Sequence, residues 1–221
     1  MENGRRKPDL IIFDCDGVLV DSELLSCRCL SEVLSEFDIA LSEEQALELF
    51  LGRSTKAIEQ HYHELGQVVP DGFLPRLKSR VLETFAGALQ PIPGIGAVVS
   101  GLNRPFCVAS SSDIDRVSLS LEVTGLKPHF GDRLFTAQMV RHGKPAPDLF
   151  LYAAEKMRTD PARALVVEDS VSGVQAAKAA GMTVWGFVGG SHYRARDGRA
   201  ILTAAGADRV FAQMGDFWKD A

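Results

Sequence analysis

The chain has 221 residues, 46% of them hydrophobic, which suffices for one large α/β domain or for a core carrying a smaller insert. Its 24 basic and 29 acidic residues leave a net charge of -5, which gives no general attraction to nucleic acid or to an anionic membrane. The basic run at residues 3–7 reads as a solvated tail, since no apolar segment long enough for a signal peptide or membrane span follows; a cytoplasmic monomer or weak dimer is expected.

The unbroken apolar run Leu10, Ile11, Ile12, Phe13 predicts a strand covered on both faces, as in a parallel sheet. Asp14 and Asp16 then lie at its carboxyl end and can start on one side of it, with Gly17 turning the backbone behind them. Two carboxylates about 4 Å apart repel by roughly 4 kcal/mol at an effective dielectric near 20, so the pair needs a cation or a proton. Asp21 is read as the N-cap of a helix beginning at Glu23, a role Ser22 can also fill.

From Glu23 to about Leu89 apolar residues recur at helical spacing and no strand pattern interrupts them, which predicts about four helices. Ser42, followed by Glu44 and Gln45, starts one of them and Ser54 another. After residues 90–96 short apolar runs alternate with helices, the pattern of βαβ units. Strands are predicted at "FCVAS" (106–110), "RLFTA", "ALVVED" (164–169), "TVWGFV" and "RVF", with helices in "IDRVSLSLEVTG", "PDLFLYAAEKM" and "GVQAAKAAG", the last closing at Gly181. The outline is an α/β protein: a Rossmann-like doubly wound parallel sheet at 1–20 and 90–221, split after its first strand by an all-α cap of four helices at 21–89.

Cys15, Cys27, Cys29 and Cys107 lack a paired spacing and are read as reduced, packed thiols, with Cys15 pointing away from Asp14 and Asp16. The five histidines offer no zinc-binding pattern.

Ligands of such sheets bind at the carboxyl ends of the strands. Those ends carry Asp14 and Asp16, then Ser110, Ser111 and Ser112, then Glu168 with Asp169, and Lys144 lies between the last two groups in sequence. Taken in order, "DCDGV", "VASSS", "KPAPDLF" and "VEDSVSG" resemble the four motifs of the haloacid dehalogenase superfamily. The helical insert between the first two is similar to that of its beta-phosphoglucomutase and phosphoglycolate phosphatase branch. The first and last motifs look most like the 6-phosphogluconate phosphatase group.

This resemblance implies phosphoryl transfer, in which the protein supplies position, charge neutralisation and an in-line nucleophile. Asp14 would be the nucleophile that forms an aspartyl-phosphate, and Asp16 the group that protonates the leaving oxygen and later deprotonates the attacking water. Mg²⁺ would be held by the Asp14 carboxylate, the Asp16 backbone carbonyl and Asp169, with Glu168 as ligand or neighbour. Ser110 would hydrogen-bond a phosphoryl oxygen, with Ser111 and Ser112 beside it, and Lys144 would offset the negative charge.

Asp16 separates the chain from dehalogenases and phosphonatases, which resemble this family but lack an acid there. Ser26 stands where the mutase branch carries a histidine, and Thr55 where it carries a basic residue, so hydrolysis is expected over mutase activity. The expected substrate is a small phosphorylated metabolite, a sugar or sugar-acid phosphate. The cap loop around Gly52, Arg53, Ser54 and Lys56 would read it, unless those residues are only a solvated helix start. A protein that binds such metabolites without turnover would break one of the motifs, and none is broken.

Overall fold

The computed structural model describes residues 7–50 and 55–219, without the side chains of Thr55 and Lys56. In chain order the elements are β1 (Leu10–Phe13), α1 (Glu23–Glu36), α2 (Glu43–Phe50), α3 (Thr55–Glu64), α4 (Phe73–Ala88), α5 (Ile95–Gly101), β2 (Phe106–Ser110), α6 (Ile114–Val123) and α7 (Lys127–Phe130). There follow β3 (Leu134–Thr136), α8 (Asp148–Lys156), β4 (Ala164–Glu168), α9 (Val171–Ala179), β5 (Thr183–Phe187), α10 (Gly198–Ala204) and β6 (Arg209–Phe211). The expected strands form within a residue or two of their predicted ends. The short helices α5, α7 and α10 were not anticipated.

All six strands are parallel, in the order β3-β2-β1-β4-β5-β6. That order reverses direction at β1, whose neighbours are β2 on one side and β4 on the other, and such a reversal opens a crevice at the strands' carboxyl ends. The apolar run of β1 is explained by its two covered faces. Ile11 and Phe13 pack into one core together with Phe130, Phe217 and the cap side chains Leu34, Phe73 and Phe85. Leu10 and Ile12 pack into another, with Leu149 and Phe150 of α8 and Val174 of α9.

The chain leaves this core for the four-helix cap and returns through two segments tied to each other: Asp21 N–H donates to Gln90 O, and Ile92 N–H donates to Leu19 O. Within the cap, Ser42 and Gln45 form a reciprocal capping box at the start of α2, as expected of that residue pair. Ser54 lies outside the described residues. The N-cap expectation for Asp21 and Ser22 is corrected. Asp21 Oδ1 accepts from the Ser191 N–H and Oγ–H at 3.0 and 2.8 Å. The Ser22 hydroxyl donates to Asp16, so no side chain caps α1. Capping preference is a local rule, and here both residues are claimed by groups distant in the chain. All four cysteines are free and buried, and no described helix is long and apolar enough to cross a membrane.

Candidate active site

Three adjacent strands deliver the site. Asp14 continues β1, and its N–H donates to Val167 O of β4, which places it beside Glu168 and Asp169. Ser110 ends β2 on the other flank of β1. Asp14, Glu168 and Asp169 are buried, and one carboxylate oxygen from each lies within 4.8 Å of the others. A set of hard, anionic oxygens this close suits a divalent cation such as Mg²⁺.

Lys144 is the protein's own answer to that charge. Its side chain is 2% exposed, and its ammonium donates to Asp14 Oδ1 and Glu168 Oε1 at 2.6 Å each and to the Ala109 carbonyl at 3.0 Å, so all three protons are used. Burial pulls the ammonium's pKa down, but the Asp14 and Glu168 carboxylates outweigh it and hold the group above its ordinary range. One lysine does not balance three carboxylates. Burial, followed by the charge of neighbouring acids, pushes Asp14 and Asp169 well above the usual carboxylate range. A bound cation reverses this logic, because each negative charge then has a close partner.

Two glycines let the carboxylates come together. Gly17 has φ +72°, and a Cβ there would stand 1.8 Å from Asp169 Oδ2. At Gly173 a Cβ would stand 1.8 Å from Glu168 Oε1. The "VEDSVSG" motif is thereby accounted for: Glu168 Oε2 accepts from the Ser170 N–H and hydroxyl, Ser170 caps α9 at Gly173 N–H, and Gly173 leaves room for the carboxylate beneath.

Asp16 faces a different set of partners. Oδ1 accepts from Ser22 Oγ and Arg116 Nη2, and Oδ2 accepts from Ser112 Oγ, each at 2.6 Å. Burial opposes its ionisation, but the Arg116 charge and these hydrogen bonds prevail, and Asp16 lies below the ordinary value. The repulsion anticipated between Asp14 and Asp16 is thus met by two separate cations, Lys144 for one and Arg116 for the other.

Arg116 was not singled out from the sequence. One local signal marks it: it is a cation in the first turn of a helix, where the dipole disfavours positive charge unless a partner compensates. Its guanidinium also lies 4.8 Å over the ring of Phe85 on α4 and donates to Ser26 on α1, tying the core to the cap. His192 and Tyr193 were missed as well. Nε2 of His192 stands 3.2 Å from Asp169 Oδ2, and the Tyr193 hydroxyl donates to the Asp169 carbonyl.

Among the described residues a cavity of about 130 Å³ joins these groups, with Asp14, Asp16, Ser110, Ser111, Ser112 and Lys144 on the core side and Leu30, Phe50, Ile58 and Val81 on the cap side. Ser110 is buried and its Oγ accepts from Ser112 N–H. Ser112 also lines the cavity, but its hydroxyl is turned to Asp16. Arg53 lies outside the described residues, as does the Lys56 side chain.

Glu23, the first residue of α1, lines the same cavity, and burial, then the charges of Asp169 and Asp16, raise its pKa from 4.5 to about 8. Between these values the folded metal-free chain holds a proton that the unfolded chain has released, so the group's stabilising contribution is full below about pH 4.5 and is lost as pH rises through 8. Glu23→Gln is therefore expected to unfold at a higher temperature than the wild type in chelator at pH 8.5, by on the order of 2 kcal/mol or roughly 6 °C, with the gap closing towards pH 5. A gap that does not change between the two pH values counts against a buried, protonated Glu23.

A strand end bearing a buried carboxylate, an acidic triad with its lysine and a helical cap over the crevice fit a hydrolase class, and the chain belongs to it: the haloacid dehalogenase-like hydrolase family matches residues 11–187. Within that class it is 31% identical over 186 residues to 6-phosphogluconate phosphatase of Escherichia coli, covering 83% of this chain and 84% of that protein. It is 34% identical over 175 residues to a fructose-1-phosphate phosphatase of the same organism, covering 78% and 92%. A HAD family hydrolase of Deinococcus radiodurans, crystallised with bound phosphate and sodium, matches with a TM-score of 0.75 at 33% identity over 95% of this chain and 93% of that one.

Proposed function

We propose that the protein is a Mg²⁺-dependent phosphatase that hydrolyses a small phosphorylated metabolite, a sugar or sugar-acid phosphate, through an aspartyl-phosphate on Asp14. The observation that carries this is Asp14 itself: a buried carboxylate with one oxygen on Lys144, grouped with Glu168 and Asp169, at the mouth of a cavity that Asp16 shares. The names of the relatives, which act on phosphorylated sugars, support the substrate class.

In the first half-reaction an Asp14 carboxylate oxygen bonds to phosphorus as the bond to the leaving oxygen breaks, and Asp16 passes to that oxygen a proton that enters with the phosphate monoester, whose negative charge raises the proton affinity of the otherwise ionised Asp16. In the second, Asp16 takes a proton from water as the water attacks phosphorus, and Asp14 is released with inorganic phosphate. Ser110 and the backbone beside it face the phosphoryl oxygens, and Lys144 balances the charge of nucleophile and phosphate. Asp14, the Asp16 carbonyl and Asp169 would hold Mg²⁺, with Glu168 between ligand and neighbour, and the ion would supply further charge neutralisation of the phosphoryl group. Residues 21–89 would form the cap that excludes water during these steps.

Phosphate release from p-nitrophenyl phosphate and a panel of sugar phosphates is expected with Mg²⁺ and not with chelator. Absence of metal-dependent release across the panel overturns the reading. Independently of turnover, Mg²⁺ at about 100 times its dissociation constant is expected to stabilise the fold by about 2.7 kcal/mol, which is roughly 5–10 °C for a chain of this size. Asp169→Asn should remove most of that shift. A thermal midpoint indifferent to Mg²⁺ excludes the acidic triad as the metal site.

A further inference from the structure

Arg116 has hydrogen-bonding capacity that the protein leaves unused. A guanidinium is permanently charged and presents five N–H donors in a rigid planar fork. Here Nη2 carries both bonds, to Asp16 Oδ1 and Ser26 Oγ. Among the described residues neither Nε nor Nη1 has a partner; Nε is buried, so Nη1 is the donor left for a ligand. The side chain keeps 21% exposure and lines the cavity it shares with Asp14 and Asp16. The Phe85 ring covers one face of the group, so it is fixed in place.

Its position decides what it can meet. Under the reading above, Asp16 faces the leaving oxygen, so the group beside Asp16 adjoins the organic part of the ester. Leu30, Ile58 and Val81, on the cap wall of the same cavity, offer no side-chain acceptor. Lys78 also lines the cavity, but its ammonium is taken up by Asp115 at 2.7 Å and Asp113 at 3.7 Å. Lys144 is spent on Asp14 and Glu168. The Nη1 amino group, which keeps its charged N–H donors, matches an anionic carboxylate, which accepts charge-assisted hydrogen bonds, better than a neutral hydroxyl. A second phosphate is disfavoured, because Asp14, Asp16 and Glu168 already place acid on the cavity wall and a dianion adds twice the charge of a carboxylate.

We propose that Arg116 is a specificity-determining residue that binds a carboxylate on the leaving group, so that the preferred substrate is a phosphorylated hydroxy acid of the sugar-acid type. This rests on the phosphatase reading and narrows it.

The test compares kcat/KM for 6-phosphogluconate and sorbitol 6-phosphate, which share a six-carbon chain and differ by a carboxylate in place of a hydroxymethyl group. The wild type is expected to favour the acid by tenfold or more. Arg116→Gln should lower kcat for both, since Asp16 loses a partner, but should also lower the ratio by tenfold or more, mainly through KM for the acid; Arg116→Lys should retain part of the ratio. If Arg116→Gln turns over neither ester, or does not fold, the ratio of dissociation constants is read by calorimetry with Arg116→Lys and with the parent arginine, both carried on Asp14→Asn. A wild-type ratio near one, or a ratio that the arginine substitutions leave unchanged, overturns the proposal. Release from p-nitrophenyl phosphate but from neither six-carbon ester overturns it while leaving the phosphatase reading standing. No release from any of the three overturns both.

Discussion

Asp14→Asn is expected to lower kcat by about 10⁴-fold or more, the scale on which loss of a covalent nucleophile acts, without lowering the thermal midpoint. The two halves of this outcome have separate causes. An amide is nearly isosteric with the carboxylate but cannot form the aspartyl-phosphate, so chemistry stops at its first step. Stability should hold or rise, because the ionised Asp14 is opposed by burial and by the charges of Glu168, Asp169 and Asp16, with Lys144 alone in its favour. Removing the charge removes that opposition, and Lys144 still has Glu168 and the Ala109 carbonyl. Steady-state kinetics alongside thermal unfolding in chelator checks both halves. Activity within tenfold of the wild type would refute the nucleophile.

Lys144→Met should do the reverse and damage the fold before the chemistry can be judged. The side chain is 2% exposed and bonds two carboxylates that are themselves 9% and 1% exposed, so its loss leaves buried negative charge without a partner. Breaking a buried ion pair from one side costs about 3–5 kcal/mol, or on the order of 10 °C for a protein of this length. Methionine keeps the stem's packing against Phe150, over whose ring the ammonium lies at 4.9 Å, so the loss reports charge rather than volume. Combining Lys144→Met with Glu168→Gln should recover part of the stability, since the second substitution removes one of the orphaned charges. Additive losses in the double variant would mean that the lysine acts through packing alone.

The contrast between these two substitutions shows how the site is built. Asp14 and Asp169 are placed where burial and neighbouring acids oppose their ionisation, whereas Asp16 is held ionised by Arg116, and Lys144 makes the acidic cluster tolerable in the absence of metal. The expected response to Mg²⁺ follows from the same imbalance.

What could be read from the chain followed from local patterns. The four-residue apolar run announced β1 because a strand covered on both faces cannot alternate, and Ile11 with Phe13 does fill one core while Leu10 with Ile12 fills the other. Helical spacing marked the cap because each of its helices buries a single stripe. Asp14, Ser110, Lys144, Glu168 and Asp169 were recognisable because each directly follows a strand or belongs to a short motif, and strand ends in a parallel sheet converge on one crevice.

Tertiary structure decided the rest, since charges are paired in space rather than along the chain. Asp21 looked like a helix cap by position, and its carboxylate instead holds Ser191, 170 residues away. Arg116 drew no notice in the sequence, and it meets Asp16 across 100 residues and reaches into the cap. Glu23 opens a helix, where an acid is ordinarily solvated and favoured by the dipole, and here burial and the charges of Asp169 and Asp16 raise its pKa. The sequence by itself determined the fold, the order of the motifs and the class of chemistry, because periodicity and strand-end placement are local properties of a chain. Only the folded molecule decided which cation serves which carboxylate and which donors remain free for a substrate, because those depend on distances set by the whole packing.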